Sequence, residues 1–156
     1  MKLKSLLVVA LVVGVVGAAP LARAADLNVG TWKFNAEKSK GALFKSGTSI
    51  IEADGDDGVK VTVDAAGTDG TRYQWSFKAK YDGKDNPVTG NSPFGNVVAI
   101  TRVDAHTTKV TTKRDGKVSA TQTMVVSADG KTRTLTTKGT DAKGMPVAST
   151  TVYDRQ

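Results

Sequence analysis

The chain has 156 residues, with 22 Lys and Arg against 15 Asp and Glu, a single His and no Cys, and its net charge is +7 at neutral pH. Without cysteine there is no disulfide framework and no lipoprotein acylation site, so the fold must be held by packing and hydrogen bonds alone. One histidine is also too few for a zinc site of the usual composition.

Residues 1–24 have the organisation of a secretory signal peptide. Two lysines precede an apolar run at 6–16, and Ala22-Arg23-Ala24 places small residues before a cleavage point after Ala24. A membrane anchor would need roughly 20 apolar residues, more than this run has. Cleavage leaves one domain, residues 25–156, and removes three positive charges, so the net charge falls to +4. We expect a periplasmic or secreted protein with no membrane span after cleavage. A charge of this size does not by itself indicate a nucleic-acid partner.

Beyond residue 24, apolar and polar residues alternate over short runs, as they do in β-strands. Residues 36–47 lack this alternation and are interpreted as a loop with one helical turn, and residues 85–95 are rich in Pro, Gly and Asn, so no regular structure is expected there. About nine strands are predicted, at residues 26–34, 48–53, 58–65, 71–81, 96–103, 106–114, 117–128, 131–139 and 147–153.

Asp-Gly pairs separate many of these strands. They occur at 54–55, 57–58, 69–70, 82–83, 115–116 and 129–130. Asp-Gly favours the positive φ angles of tight β-hairpin turns, so successive strands are expected to form an antiparallel up-and-down meander. Closure of the meander into a barrel would remove its unpaired edges. We therefore predict an all-β domain of about nine strands closed into a small barrel, with a two-sheet sandwich as the alternative.

The long predicted strand at residues 71–81 carries an aromatic face. Tyr73, Trp75, Phe77 and Tyr81 occupy alternate positions, and the basic residues of the strand lie on the opposite face. The aromatic face either fills the core or lines a cavity for one small ligand. Barrels that bind oligonucleotides expose aromatic rings beside their cations, so this arrangement argues against a nucleic-acid partner.

The Thr-rich later strands offer a polar inner wall. Thr134 and Thr136 share one face of their strand, and Arg133 and Leu135 share the other. An inward Arg133 could pair with a ligand carboxylate. A charged side chain is more often solvated, so we expect Arg133 on the outer face.

No catalytic or metal site is expected. His106 has no second His, no Cys and no Gly-x-Ser-x-Gly motif to work with. The acidic run at 54–58 lacks the fifth-position ligand and the distal Glu of a calcium loop, and is interpreted as a tight turn. No cofactor is predicted.

The segment Asn28-Val29-Gly30-Thr31-Trp32 resembles the opening of lipocalins, in which Gly-x-Trp begins the first strand. Gly-Thr-Trp-Lys is also similar to the start of intracellular fatty-acid-binding proteins, and residues 150–154 are similar to the last strand of that family. The chain as a whole resembles the small secreted lipocalin-like proteins of bacteria. The resemblance to the calycin superfamily implies an up-and-down barrel that encloses an apolar ligand.

The resemblance has consequences for single residues. It implies that Tyr153 contacts the ligand, although Thr151 replaces the Arg of the Arg-x-Tyr motif of fatty-acid-binding proteins. It also implies that Trp32 closes the barrel base under an Arg, either Arg133 or Arg155. The two-helix lid of fatty-acid-binding proteins has no room in this chain.

The expected function is non-catalytic binding of a small lipophilic or amphipathic molecule inside the barrel. The ligand would be lined by Tyr73, Trp75, Phe77, Tyr81 and Tyr153. The alternative is an envelope protein that binds another protein, as an inhibitor or assembly factor, with a filled barrel. Its contact loops would then be residues 36–47 and 85–95.

Overall fold

A computed structural model describes residues 25–156, and the predicted signal peptide lies outside the described residues. The described chain forms eleven strands, β1 (Gly30–Lys40), β2 (Phe44–Ala53), β3 (Gly58–Gly67), β4 (Arg72–Lys80), β5 (Asn86–Pro87), β6 (Thr89–Gly90), β7 (Val97–Arg102), β8 (Thr107–Arg114), β9 (Lys117–Val126), β10 (Thr132–Thr140) and β11 (Pro146–Arg155). They form one antiparallel sheet in the order β5-β7-β8-β9-β10-β11-β1-β2-β3-β4-β6. Because β1 pairs with β11, the meander curls into a nearly closed barrel. No helix in this described part is long and apolar enough to cross a membrane.

The strand count is eleven rather than the nine expected. The two additional strands, β5 and β6, have two residues each and lie in the connection where no regular structure was predicted. β5 pairs with β7, and β6 pairs with β4. Pro87 is tolerated because β5 is an edge strand, so the N–H that proline lacks is not needed for a hydrogen bond to a neighbouring strand.

The prediction of a loop with a helical turn at residues 36–47 is also wrong. β1 continues to Lys40 and β2 already begins at Phe44. The register of β1 against β11 shifts between Asn35 and Lys40, which marks a β-bulge. At the bulge the Ser39 hydroxyl replaces a backbone group as hydrogen-bond partner. It donates to the Asn35 carbonyl at 2.6 Å and accepts from the Val152 N–H at 2.9 Å. This bulge breaks the period of two, which is why the sequence does not look like a strand.

The Asp-Gly pairs act mainly as turns. In five of the six pairs the glycine has positive φ, and in the exception Gly58 begins β3. The tightest turn is Asp115-Gly116, with φ of 52° and 76°, between the paired residues Arg114 and Lys117. Positive φ at both central residues is the geometry that favours Asp-Gly in a two-residue hairpin.

Within residues 25–156 the hydrogen-bonded ring is interrupted between β4 and β7. An isolated bridge between Asp82 and Thr101 and a 2.9 Å bond from the Gly83 N–H to the Ile100 carbonyl connect the two sides. We call this gap the seam. The seam connection, residues 81–96, carries β5 and β6 and fills the rest of the gap.

The first described residues cross one end of the barrel beneath Trp32. Trp32 is completely buried, and its indole N–H donates to the Asn28 carbonyl at 2.8 Å. Arg155 lies 4.2 Å from the Trp32 ring and donates to the backbone carbonyls of Leu27 and Val29 at 2.6 and 2.7 Å. The last residues of β11 thus hold the N-terminal segment in place.

Gly30 explains the first position of the Gly-x-Trp motif. Its φ is 145°, and a Cβ built on it would overlap the Arg155 guanidinium. Any larger residue would displace that guanidinium from the Trp32 ring. Glycine therefore allows the arginine to pack against the base of the barrel.

Asp26 fastens the same segment to the other side of the barrel. Its carboxylate accepts a hydrogen bond from the Tyr81 hydroxyl at 2.6 Å and pairs with Arg102 at 2.7 Å. Burial raises the pKa of Asp26, but the hydrogen bonds from Arg102 and Tyr81 outweigh it and the net pKa lies below its usual range. The barrel base is thus closed by an ionised carboxylate.

The opposite end is covered by the part of the seam connection that contains Pro93 and Phe94, both buried. Arg114 donates to the Pro93 carbonyl at 2.9 Å and to the Asp141 carbonyl at 2.8 Å. The Ser119 hydroxyl donates to the Phe94 carbonyl at 2.5 Å. These bonds tie the cover to the ends of the surrounding strands.

Candidate ligand-binding cavity

The barrel encloses a cavity of about 110 Å³. Side chains from β2, β3, β4 and β7 to β11 line it, and Asn28 and Phe94 contribute from the two closed ends. Engineered protein cavities of roughly 150 Å³ hold one benzene molecule, whereas sites for drug-sized ligands span roughly 300–1,000 Å³. The space is smaller than that benzene cavity, so it suits a molecule of at most about one ring rather than a long lipid.

The cavity has two chemically different walls. The wall formed by β3, β4 and β7 is apolar and presents Val59, Val61, Val63, Trp75, Phe77, Val98 and Ile100. The wall formed by β8 to β11 is mixed, and it presents Thr108, Thr112, Gln122, Arg133, Thr137, Ser149 and Thr151 beside Val110, Met124, Leu135 and Tyr153. The difference follows from the sequence, since the inward positions of β3 are consecutive valines and those of the later strands include several hydroxyl residues. A molecule with one apolar and one polar side would match both walls.

Four of the five predicted site residues line this cavity, namely Trp75, Phe77, Tyr81 and Tyr153. Tyr73 does not, because it lies near the start of β4 and packs edge-on against Phe44 with 5.6 Å between the ring centres. The Tyr81 hydroxyl donates a hydrogen bond to the Asp26 carboxylate. Burial raises the pKa of Tyr153. That these rings contact a ligand remains a prediction.

Arg133 lies inside the barrel, so its expected place on the outer face is wrong. It is 3% exposed and pairs in register with Tyr153 on β11 and Val126 on β9. Leu135 and Thr137 share its inward face, whereas Thr136 is exposed. Leu135 was the signal that could have placed Arg133 inside. It is the only large apolar residue of the strand, so the face that it shares with Arg133 is expected to point inward.

The Arg133 guanidinium is held by rings rather than by acceptors. Its centre lies 5.0 Å from the Trp32 ring and 4.8 Å from the Tyr153 ring. Within residues 25–156 it makes no hydrogen bond or ion pair, and its buried Nε has no acceptor. Burial lowers the pKa of Arg133 to about 10, so it is still protonated at neutral pH. Both arginines considered for the contact with Trp32, Arg133 and Arg155, lie against it.

Asn28, which also lines the cavity, has a second buried polar atom without a partner in the described chain. It is 2% exposed, and its amide nitrogen donates to the Thr108 hydroxyl at 3.3 Å and the Tyr81 hydroxyl at 3.4 Å. Its Oδ1 is buried without a donor among the described residues. Sequence reasoning placed Asn28 in the strand predicted over residues 26–34 and gave it no role in the site. The observed β1 begins only at Gly30, so Asn28 is positioned by closure of the barrel.

No protein-family model and no curated protein matches this sequence. Solved structures do match its fold. The fluorescent protein UnaG has a TM-score of 0.53 and 18% identity, over 83% of this chain and 97% of that one. A redesigned β-barrel, mFAP1, bound to DFHBI, has a TM-score of 0.45 and 16% identity, over 86% and 100% of the two chains. The zebrafish ileal bile acid-binding protein complexed with cholic acid has 0.47 and 11%, over 83% and 99%.

At this identity the UnaG match concerns the fold alone. It agrees with the up-and-down barrel that the Gly-x-Trp resemblance implies. The predicted antiparallel meander is confirmed, in the form of a nearly closed barrel with more strands than expected.

Proposed function

We propose that residues 25–156 form a non-catalytic protein that binds a small amphipathic molecule inside the barrel. The observation that carries the proposal is the cavity with one apolar wall and one wall that combines polar and apolar side chains. Apolar surface buried against β3, β4 and β7 would contribute about 25 cal/mol per Å², reduced by the cost of ordering the ligand. Hydroxyl groups of the mixed wall would set its orientation.

The proposal includes export. Residues 1–24 have the pattern of a cleaved signal peptide, and the chain without them keeps a modest positive charge. The protein would then work in the periplasm or outside the cell, as a small lipocalin-like carrier of the kind it resembles.

Native mass spectrometry of protein purified from the periplasm tests the binding function. We expect an additional mass on the folded protein that is lost under denaturing conditions, and organic extraction then gives the class of the molecule. Trp75→Ala should abolish the additional mass, because Trp75 forms part of the apolar wall. Val125→Ala, at an exposed position on β9, is the matched control. Binding that survives Trp75→Ala in a folded protein would contradict the proposed site.

A second candidate function rests on the small volume of the cavity, about 110 Å³. A barrel this well filled would also suit a protein-binding module of the cell envelope. Its contact surface would be the seam connection, because residues 36–47 lie mostly in strands rather than in a loop. Protein without an additional mass, together with loss of a partner on replacement of residues 84–91 by a Gly-Ser linker, would favour this alternative.

A further inference from the structure

Two residues that line the same cavity each have a buried polar atom without a partner among the described residues, and the two atoms have opposite hydrogen-bonding roles. Arg133 Nε is a donor and Asn28 Oδ1 is an acceptor, and these are the buried side-chain atoms of the described residues without a partner. Buried polar atoms are rarely left unpaired, so two on residues that line one cavity indicate a ligand that carries both an acceptor and a donor.

The charge of Arg133 indicates that the acceptor is an anion. Arg102 pairs with Asp26 at 2.7 Å and Arg72 pairs with Asp64 at 2.8 Å, whereas no Asp or Glu of the described chain lines the cavity around Arg133. A guanidinium binds a carboxylate through two parallel hydrogen bonds. A single cation in otherwise neutral walls balances one negative charge, which favours a monoanion.

The size of the cavity restricts the rest of the molecule. A volume of about 110 Å³ leaves room for a body of about one ring beside Trp75 and Phe77. A long acyl chain would have to displace the cover at Phe94, which Ser119 holds by its carbonyl. The site therefore favours a compact acid over a fatty acid.

We propose, on the basis of the binding function above, that the ligand is a compact hydroxycarboxylic acid. Its carboxylate lies against Arg133, its apolar body packs on Trp75 and Phe77, and its hydroxyl donates to Asn28 Oδ1. This assignment explains why an arginine is kept inside the barrel without a protein counter-ion.

The test compares ligands that differ in one property at a time, at pH 7, by calorimetry and by amide chemical shifts. Benzoate and benzamide have the same shape, but only benzoate is charged. The three hydroxybenzoate isomers place the hydroxyl at different distances from the carboxylate, and hexadecanoate tests chain length. We expect benzoate to bind at least tenfold more tightly than benzamide, one hydroxybenzoate to bind at least threefold more tightly than benzoate, and hexadecanoate to bind more weakly than either.

Variants of Arg133 test the anion contact directly. Arg133→Gln should remove the preference for benzoate over benzamide, and Arg133→Lys should reduce it, because lysine keeps the charge without the planar fork. Lys138→Gln removes a charge from an exposed position on the same strand and should leave the preference intact. Circular dichroism establishes that each variant is folded.

The possible failures are distinguishable. Equal binding of benzoate and benzamide, or a benzoate preference that persists in Arg133→Gln, would overturn the carboxylate assignment and leave the binding function standing. No gain from any hydroxybenzoate would overturn the role of Asn28. Tighter binding of hexadecanoate would overturn the size restriction. No binding of any probe, with no additional mass on the periplasmic protein, would refute the binding function itself.

Discussion

Replacing Arg133 by Met is expected to make the ligand-free barrel more stable. The guanidinium is buried, and within the described residues it has no hydrogen-bond or ion-pair partner. Burial lowers its pKa from the ordinary value of an arginine to about 10. At about 1.4 kcal/mol for each tenfold change in an equilibrium, this fall corresponds to about 3 kcal/mol lost from the free energy of unfolding. Met fills a similar volume without a charge, so this cost disappears in the variant.

The aromatic contacts of Arg133 reduce the gain. Rings at 4.8 and 5.0 Å attract the guanidinium. Each such contact contributes about 0.5–1 kcal/mol, so the net stabilisation in Arg133→Met should be about 1–2 kcal/mol, or about 5 °C in Tm for a domain of this size.

The pH dependence of this gain has a defined sign. The pKa of Arg133 is lower in the folded protein than in the unfolded chain, so the folded state carries the full penalty below about pH 10. Wild-type stability should recover relative to Arg133→Met only as the pH rises from there towards the ordinary pKa of an arginine. At neutral pH the difference between the two proteins should therefore be constant.

Urea and thermal unfolding at pH 7, followed by circular dichroism, measure the effect. Lys138→Met, on the exposed face of the same strand, should change the free energy of unfolding by less than about 0.5 kcal/mol. A loss of stability of more than about 1 kcal/mol in Arg133→Met at an unchanged m-value would refute the reasoning, because it would mean that the charge is compensated inside the barrel.

Three further predictions concern the closed ends. Gly30→Ala should lower the free energy of unfolding by about 2 kcal/mol, because a Cβ would displace the Arg155 guanidinium, and unchanged urea unfolding would contradict this. Asp26→Asn should cost about 1–3 kcal/mol at pH 7 through its bond with Arg102. That difference should disappear in acid unfolding curves as the pH falls through the lowered pKa of Asp26, where the wild type is protonated too. Arg114→Ala should speed amide hydrogen exchange in residues 92–96, because the hydrogen bond from Arg114 to the Pro93 carbonyl is lost. Exchange at the wild-type rate would mean that this bond does not hold the segment in place.

The regular parts of the barrel could be predicted because their signals are local. The alternation from Val59 to Val63 and the two-residue turn at Asp115-Gly116 each determine a strand or a hairpin within a few residues. The bulge around Ser39 could not be predicted, since it depends on a partner in β11, far along the chain. The two-residue strands β5 and β6 likewise form only because the seam exposes strand edges to them.

The cavity could be predicted in part, and the reason lies in the kind of side chain. Trp75 and Phe77 are large and apolar, so the period of two already indicates their inward face. Arg133 was expected outside because buried charge is costly in general, and only the register against Tyr153 reveals its position. Asn28 precedes β1, although a strand was predicted over residues 26–34, so its contact with Thr108 on β8 follows from closure of the barrel alone.

β1 and β11 pair although more than 100 residues separate them along the chain. At a synthesis rate of roughly 5–20 residues per second, about 5–20 seconds pass before β1 can meet its partner. Until then β1 has an unpaired edge, and Arg155 is not yet present to hold Trp32 and the N-terminal segment. The last strand of the described chain is the strand that pairs with β1, so a nascent chain of this topology stays open until β11 has been made, which would suit the export proposed above.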